Sequence, residues 1–533
     1  MTQTAATDDT TPINVDVDDL ALEAKVGQLF QVGFHGTAPT DTIRELVTDY
    51  GVGGVIYFSR NIETPSQTAA LSTALQNAAR AASGIPLSIS VDQEGGTVSR
   101  VPFGTVPPGQ MALGATGDGD LAREFGAAVA GQLRAVGINT NFAPVLDVNN
   151  NPDNPVIGVR SFGDDPELVG ELGSAVAAGL QDGGVAACGK HFPGHGDTDV
   201  DSHEAMPTVG HDRDRLDTVE LAPFRTAIDA GIDAIMTAHV NFPTIEPDPD
   251  VPATLSERVL TGLLREELGY DGVVVTDCME MSAIADGVGT VEGAVRAIRA
   301  GADVVLVSHT ADRQRAAIEA VVNAVRDGTI AEERIDESAQ RVLRLKAQRF
   351  DHSDTPSVEA AGETLTETAV QVGQQAATLV DDDEDLLPFP EGSDVFIWEF
   401  PSERRSAAED STTDTTALVD ALEARGRTVR RHTFTDERAS ADDLPVVDDD
   451  EIVLACTYDA ASNPEQVQTV RTALDAGLPI AVLALRNPHD RRVLPGAPTF
   501  LTTYDDSEAM LRGAADLLTD ERAGNSQLPV SLD

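Results

Sequence analysis

The sequence predicts an α/β protein: a (β/α)8 barrel followed by a smaller three-layer αβα sandwich. Three observations carry this expectation. Eight short apolar runs alternate with longer amphipathic stretches over about the first 350 residues, and strands alternating with helices build parallel sheets. Several runs end in chemically capable residues: Asp92, Asp147, Lys190 with His191, His239 and Asp277. In a barrel such ends converge on one face, where active sites sit. The alternation then pauses after Phe350 and resumes at Asp394.

The runs are LFQVGF (29–34), GGVIYF (53–58), PLSISVD (86–92), NTNFAPVLDV (139–148), VAACGKHF (185–192), AIMTAHV (234–240), GVVVTDC (272–278) and DVVLVS (303–308). Helix-like segments between them include 66–82, 120–137 and 167–183. An open doubly wound sheet is the rival. It calls for a Gly-rich phosphate loop after an early strand, and neither G-x-G-x-x-G nor a Walker sequence is present there. The expected domains are a barrel over 1–350, a connector over 351–392 containing a helix-like stretch, and a sandwich over 393–533. In the last, DVFIWEF, TVRRHTF, EIVLACTY, PIAVLAL and APTFLTTY read as strands, and 463–477 and 507–520 as helices. The single tryptophan, Trp398, reads as core.

A length of 533 residues suits more than one core. The charge is extreme, with 89 acidic residues against 37 basic ones and a net −52. Lysine occurs only at Lys25, Lys190 and Lys346. Such a surface repels nucleic acid and anionic membranes. The acidic residues are spread along the whole chain, which argues against a disordered tail. They point to a globular protein adapted to high salt, because in molar salt the Debye length falls to about 3 Å and the repulsion is screened. The composition resembles that of halophilic proteins. Cys188, Cys278 and Cys456 form neither a disulfide framework nor a C-x-x-C site. The N-terminal MTQTAATDDTTPINVDVDD has no basic start or apolar core, and no run approaches a membrane span. The expectation is a cytoplasmic protein with no nucleic-acid or membrane partner.

The run Lys190–Pro207, KHFPGHGDTDVDSHEAMP, is the densest charged segment. Three chemistries compete for it. A metal would find ligands in His191, His195, His203, Asp197, Asp199 and Asp201. However, H-E-x-x-H and H-x-H are absent, and Pro-Gly between His191 and His195 breaks the helix on which histidines four apart bind together. No metal or cofactor is therefore expected. A structural reading suits Asp199 and Glu204 as solvated surface, and lets Lys190 and His191 form internal ion pairs. The third reading is acid–base catalysis: Asp201 and His203 can face each other across a turn, and a carboxylate bonded to imidazole fixes its tautomer and stabilises the imidazolium. Asp277, ending a strand of Val and Thr, is the natural partner. One acid and one carboxylate flanking a bond is the arrangement for glycoside hydrolysis.

These motifs resemble those of family 3 glycoside hydrolases, in the β-N-acetylglucosaminidase branch. The resemblance includes the central loop, VDQEGG (91–96), FAPVLDVNNNPDNPVIGVRSFGDDP (142–166), GVVVTDCMEM (272–281), and the later TLVDDDEDLLPF and LPVSL. It covers nearly the whole chain in order. It implies a barrel followed by an αβα sandwich, and a retaining two-step hydrolysis of a small oligosaccharide or glycoconjugate without cofactor. By resemblance, Asp277 is the nucleophile and His203 the acid–base, oriented by Asp201. Asp92, Arg160, Lys190 and His191 hold the sugar hydroxyls. β-Glucosidase or β-xylosidase activity and phosphate as acceptor are the alternatives. Two departures stand out: Thr97 where the family often has arginine, with Arg100 nearby, and Cys278 directly after Asp277.

Overall fold

A computed structural model of the chain describes residues 15–203, 205–350, 354–400, 406, 408–409, 414–434, 444–520 and 526–532. Glu204 and most of the acidic N-terminal stretch thus lie outside the described residues. The first domain is the expected barrel. Its strands are β1 (Phe30–Val32), β2 (Gly54–Ile56), β3 (Ser88–Val91), β4 (Thr140–Asn141), β5 (Ala186–Phe192), β6 (Ala234–Thr237), β7 (Val273–Thr276) and β8 (Val305–Val307). All neighbours pair in parallel, and β1 pairs with β8. A parallel bridge between Val275 and Val304 closes the ring between β7 and β8.

Strand periodicity sorts the side chains into two layers. Ala234 and Met236 of β6 and Val273 and Val275 of β7 join one apolar cluster, while Ile235 and Val274 between them join the core that packs under the helices. The helices expected from sequence form as Pro65–Ser83, Gly119–Arg134 and Pro166–Asp182. Thr64, Asp118 and Asp165 cap their first turns through side-chain oxygens. The fourth strand is shorter than its apolar run: after Asn141 the chain leaves the sheet through Pro144 and continues as the long loop beside the site. All three lysines are buried and bonded internally: Lys25 to Asp336 at 2.6 Å, Lys190 in the site, and Lys346 to Gln28 and the Gly53 carbonyl, each at 2.7 Å. The solvent-facing cations among the described residues are therefore all arginine or histidine.

The second domain is a six-stranded sheet of β9 (Thr378–Asp382), β10 (Asp394–Glu399), β11 (Val429–Thr433), β12 (Glu451–Thr457), β13 (Ile480–Ala484) and β14 (Thr499–Thr502), in the order β9-β14-β13-β12-β10-β11. Only β9 runs antiparallel. Alternate residues of β10 serve opposite faces. Val395 and Ile397 pack with Leu418, Leu422 and Met510, while Phe396 and Trp398 pack with Val470 and Ala473. Trp398 is fully buried, edge-on to Phe396 and Phe434.

The expected connector, 351–392, needs correction. It contains not only the helix Val358–Ala376 but also β9, the edge strand of the second sheet. The sequence TLVDD hides this strand because its residues after Thr378 are only half-buried and the last two are aspartates. The two domains meet through backbone and carboxylate contacts. Asp505 accepts from the Gly109 amide at 2.7 Å, and Asp164 accepts from the Ser531 amide at 2.6 Å. The helix Val358–Ala376 packs on both Gly119–Arg134 of the barrel and Glu508–Thr519 of the sandwich.

Candidate active site

A cavity of ≈ 380 Å³ opens at the carboxyl ends of the barrel strands. Asp92, Arg160, Lys190, His191, His203 and Asp277 all line it, and Ala408 of the second domain reaches its wall. The sequence-predicted residues, drawn from four separate segments, thus come together. Asp201 stands behind His203 rather than on the wall.

Asp277 follows the last residue of β7 and receives the Cys278 amide at 2.6 Å. Burial alone would raise its pKa. The imidazoles of His239, His191 and His203 and the Cys278 amide outweigh burial and bring it to about 2. It is an anion at neutral pH. His239 lies beneath it, fully buried, with Nε2 donating to the Cys278 carbonyl at 3.0 Å and Nδ1 bonded to Thr254 at 2.8 Å. Burial depresses the His239 pKa, so this imidazole is neutral scaffolding for the 277–278 turn.

The loop carrying Asp201 and His203 is fixed by close backbone approach. A Cβ on Gly196 would stand 1.7 Å from the Val148 carbonyl oxygen, so only glycine fits there. Gly194 has φ +141° and lies against Glu220. His195 ties the loop to itself, with Nδ1 bonded to Thr198 at 2.8 Å and Nε2 to Ser202 at 3.0 Å. Burial lowers its pKa to about 4. Asp201 Oδ1 accepts from both the His203 amide, at 2.9 Å, and His203 Nδ1, at 2.7 Å. Since a carboxylate only accepts, the Nδ1 proton is fixed and Nε2 is left for a ligand. Partial burial works against the imidazolium, but the bond and charge of Asp201, with Asp277 adding, raise the His203 pKa above the usual imidazole value.

Opposite lies a dense ion cluster. Arg160 donates Nε and Nη2 to the two oxygens of Glu94 at 2.8 and 2.9 Å. Lys190 Nζ lies 2.7 Å from both Asp92 and Glu94. Burial raises the Glu94 pKa, yet the two cations hold its carboxyl well below the usual range. Within the quoted VDQEGG, the selection of Asp92 alone missed Glu94. The signal was available, since residues two apart in an extended strand share a face. A second dyad, His191 Nδ1 to Asp147 Oδ2 at 2.7 Å, sits deeper; Asp147 also receives the His195 amide at 2.7 Å. Asp147 and His191 were both visible as strand ends, but their pairing was not. Phe58, Arg60 and His309 form another part of the wall, with Arg60 stacked 4.1 Å over the Phe58 ring. Of the two departures, Cys278 does line the cavity, while Thr97 is buried off the wall and Arg100 reaches it.

The ligand set weighed from sequence does not assemble as a metal site. His191, His195 and His203 each bond to a different partner, and Asp199 is exposed.

Glu94→Gln is expected to raise KM about tenfold or more and to lower the melting temperature. Removing one partner of a buried ion cluster costs about 3–5 kcal/mol, and Arg160 and Lys190 would be left facing each other. An unchanged KM would show that Glu94 does not orient the substrate.

Residues 21–345 match the glycosyl hydrolase family 3 N terminal domain. Beta-hexosaminidase A of Pseudoalteromonas piscicida is 40% identical over 329 residues, 57% of this chain and 55% of its own length. This chain thus spans about half of that relative. The beta-N-acetylglucosaminidase/beta-glucosidase of Cellulomonas fimi is 29% identical over 530 residues, 94% of this chain and 92% of that one. Among solved structures, a glycoside hydrolase family 3 beta-N-acetylglucosaminidase from Paenibacillus sp. str. FPU-7 superposes with a TM-score of 0.89 at 43% identity, covering 96% of this chain and 99% of the other.

Proposed function

The chain belongs to glycosyl hydrolase family 3, and on that premise we propose that it is a retaining, exo-acting β-N-acetylhexosaminidase that removes non-reducing terminal N-acetylglucosamine. One observation carries the reading: an ionised carboxylate, Asp277, and a carboxylate-backed imidazole, His203, share one cavity. Asp277 attacks the anomeric carbon as the bond to the leaving oxygen breaks. His203 Nε2 gives that oxygen a proton, and Asp201 stabilises the imidazolium as it forms and as it is spent. In the second step Nε2 takes a proton from water, the water oxygen bonds to the anomeric carbon, and Asp277 leaves. Asp92, Lys190, Arg160 and His191 hold the ring at the non-reducing end by charged hydrogen bonds, which fix the reacting geometry. A cavity of ≈ 380 Å³ is at the small end of ligand pockets and suits a terminal sugar rather than a long chain.

Product analysis on chitobiose, with and without phosphate, tests this. Free N-acetylglucosamine in both cases supports the reading. A sugar 1-phosphate as main product would make the enzyme a phosphorylase, and faster turnover of the glucoside than of the N-acetylglucosaminide would make it a glucosidase.

The reading extends to working in concentrated salt. With a net charge of −52, the unfolding midpoint is expected to be several degrees higher in 3 M than in 0.1 M KCl, as screening removes self-repulsion. Equal midpoints would reject it. No helix among the described residues is long and apolar enough to cross a membrane.

A further inference from the structure

Outside the cavity, the loop that carries Asp201 and His203 has a second cluster at its base. Asp197 stands at the start of that loop and His211 at its end. Glu220 stands between the helices Arg213–Thr218 and Ala222–Asp229. One ligand atom from each lies within 4.8 Å of the others. None of the three lines the cavity.

The second observation concerns what these atoms lack. The Glu220 side chain is only 3% exposed. Its Oε1 accepts from Asn150 Nδ2 at 3.1 Å and stands 3.5 Å from Arg215. Its Oε2 is buried with no hydrogen-bond partner, and so is Oδ1 of the same Asn150. A buried carboxylate oxygen without a donor carries a desolvation cost that a cation removes. His211 Nε2 meets Asp197 Oδ2 at the open side, so imidazole and carboxylate already face one point.

We infer that Asp197, His211 and Glu220 form a structural site for a divalent transition-metal ion of the zinc class, beneath the loop that carries Asp201 and His203. One imidazole nitrogen with two carboxylates suits zinc better than the all-oxygen sets of calcium or magnesium. Two ligands of one zinc lie at most about 4.2 Å apart, twice a bond of about 2.1 Å, so modest side-chain rotations close the site. Asn150 Oδ1 or water completes it. An ion here joins both stems of the 197–211 loop to the helix junction behind it. Gly194, whose added Cβ would stand 2.9 Å from Glu220 Cβ, lets that junction approach. The consequence for catalysis rests on His203 being the acid–base; the site itself does not.

The test uses the full chain, stripped with a chelator, dialysed against zinc chloride in molar KCl to suppress binding to the acidic surface, then freed of excess metal. One zinc per chain is expected by elemental mass spectrometry, with a raised unfolding midpoint and slower proteolytic cleavage within 197–211. His211→Ala, which changes a half-exposed side chain, and Glu220→Gln are each expected to lose the bound zinc and both effects. Parallel dialysis against calcium or magnesium is expected to leave no bound ion. Zinc retention no greater in the native chain than in the two variants would overturn the site, as would preferential retention of calcium. The readout is bound metal, so its failure leaves the glycosidase reading intact, and an inactive enzyme would leave the metal result standing.

Discussion

Asp277→Ala lowers kcat/KM for p-nitrophenyl N-acetyl-β-glucosaminide by about 10⁴-fold or more, the loss typical when a covalent nucleophile is removed. The reason lies in what the other cavity carboxylates are doing. Among the described residues three line the cavity: Asp92, Glu94 and Asp277. Asp92 and Glu94 are bonded to Lys190 and Arg160, whose positive charge makes them poor nucleophiles. Asp277 is bonded to a backbone amide and ringed by imidazoles, so it is ionised and its second oxygen is uncommitted by any ion pair among the described residues. A 2-fluoro glycoside is expected to leave a covalent adduct on the peptide containing Asp277, absent from the alanine variant. Recovery of the adduct on Asp92 or Glu94, or near-native activity of Asp277→Ala, would remove the assignment. The variant should fold, because deleting a charged side chain that no ion pair holds leaves no buried cation unmatched.

What was legible in the sequence follows from the range of each signal. Strand and helix periodicities are local, so each of the eight apolar runs holds a barrel strand, most of them shorter than the run. The fourth run keeps only Thr140–Asn141 in the sheet; its Val145 packs instead with Val156 and Ile157 of the following loop, in a small cluster of their own. The Asp201–His203 dyad was legible because its partners are two residues apart. Glu94 was not singled out, and Asp147 was noted without its pairing to His191, since these partners lie far apart in sequence. Arg160 is 66 residues from Glu94, and His191 is 44 from Asp147. Strand β9 escaped for a different reason: a short, half-buried edge that ends in two aspartates lacks the long apolar run that marks a central strand.

His203→Ala lowers kcat for chitobiose by about 10²–10⁴-fold, the usual worth of a positioned general acid, while the loss for formation of the glycosyl-enzyme from an acidic phenol leaving group is far smaller. The cavity holds a rival, because His191 with Asp147 is also a histidine–carboxylate pair. The two differ in position. His191 lies near the end of a barrel strand and is 6% exposed, at the depth of the Lys190–Glu94–Arg160 ion cluster, whereas His203 rides on the loop with its side chain 31% exposed. A leaving group departs toward solvent, so the proton is needed at the rim. His191→Ala is therefore expected to raise KM with little dependence on leaving-group acidity, and His203→Ala to show strong dependence. The pH profile separates them further. Proton donation requires the imidazolium, whose pKa is raised by Asp201, so activity falls as pH rises through that value. Asp201→Asn removes the raising charge and moves the alkaline limb to lower pH, while the acid limb, set by Asp277 at about 2, stays in place. An alkaline limb unmoved by Asp201→Asn, or leaving-group dependence appearing in His191→Ala instead, would transfer the proton donor to the deeper pair.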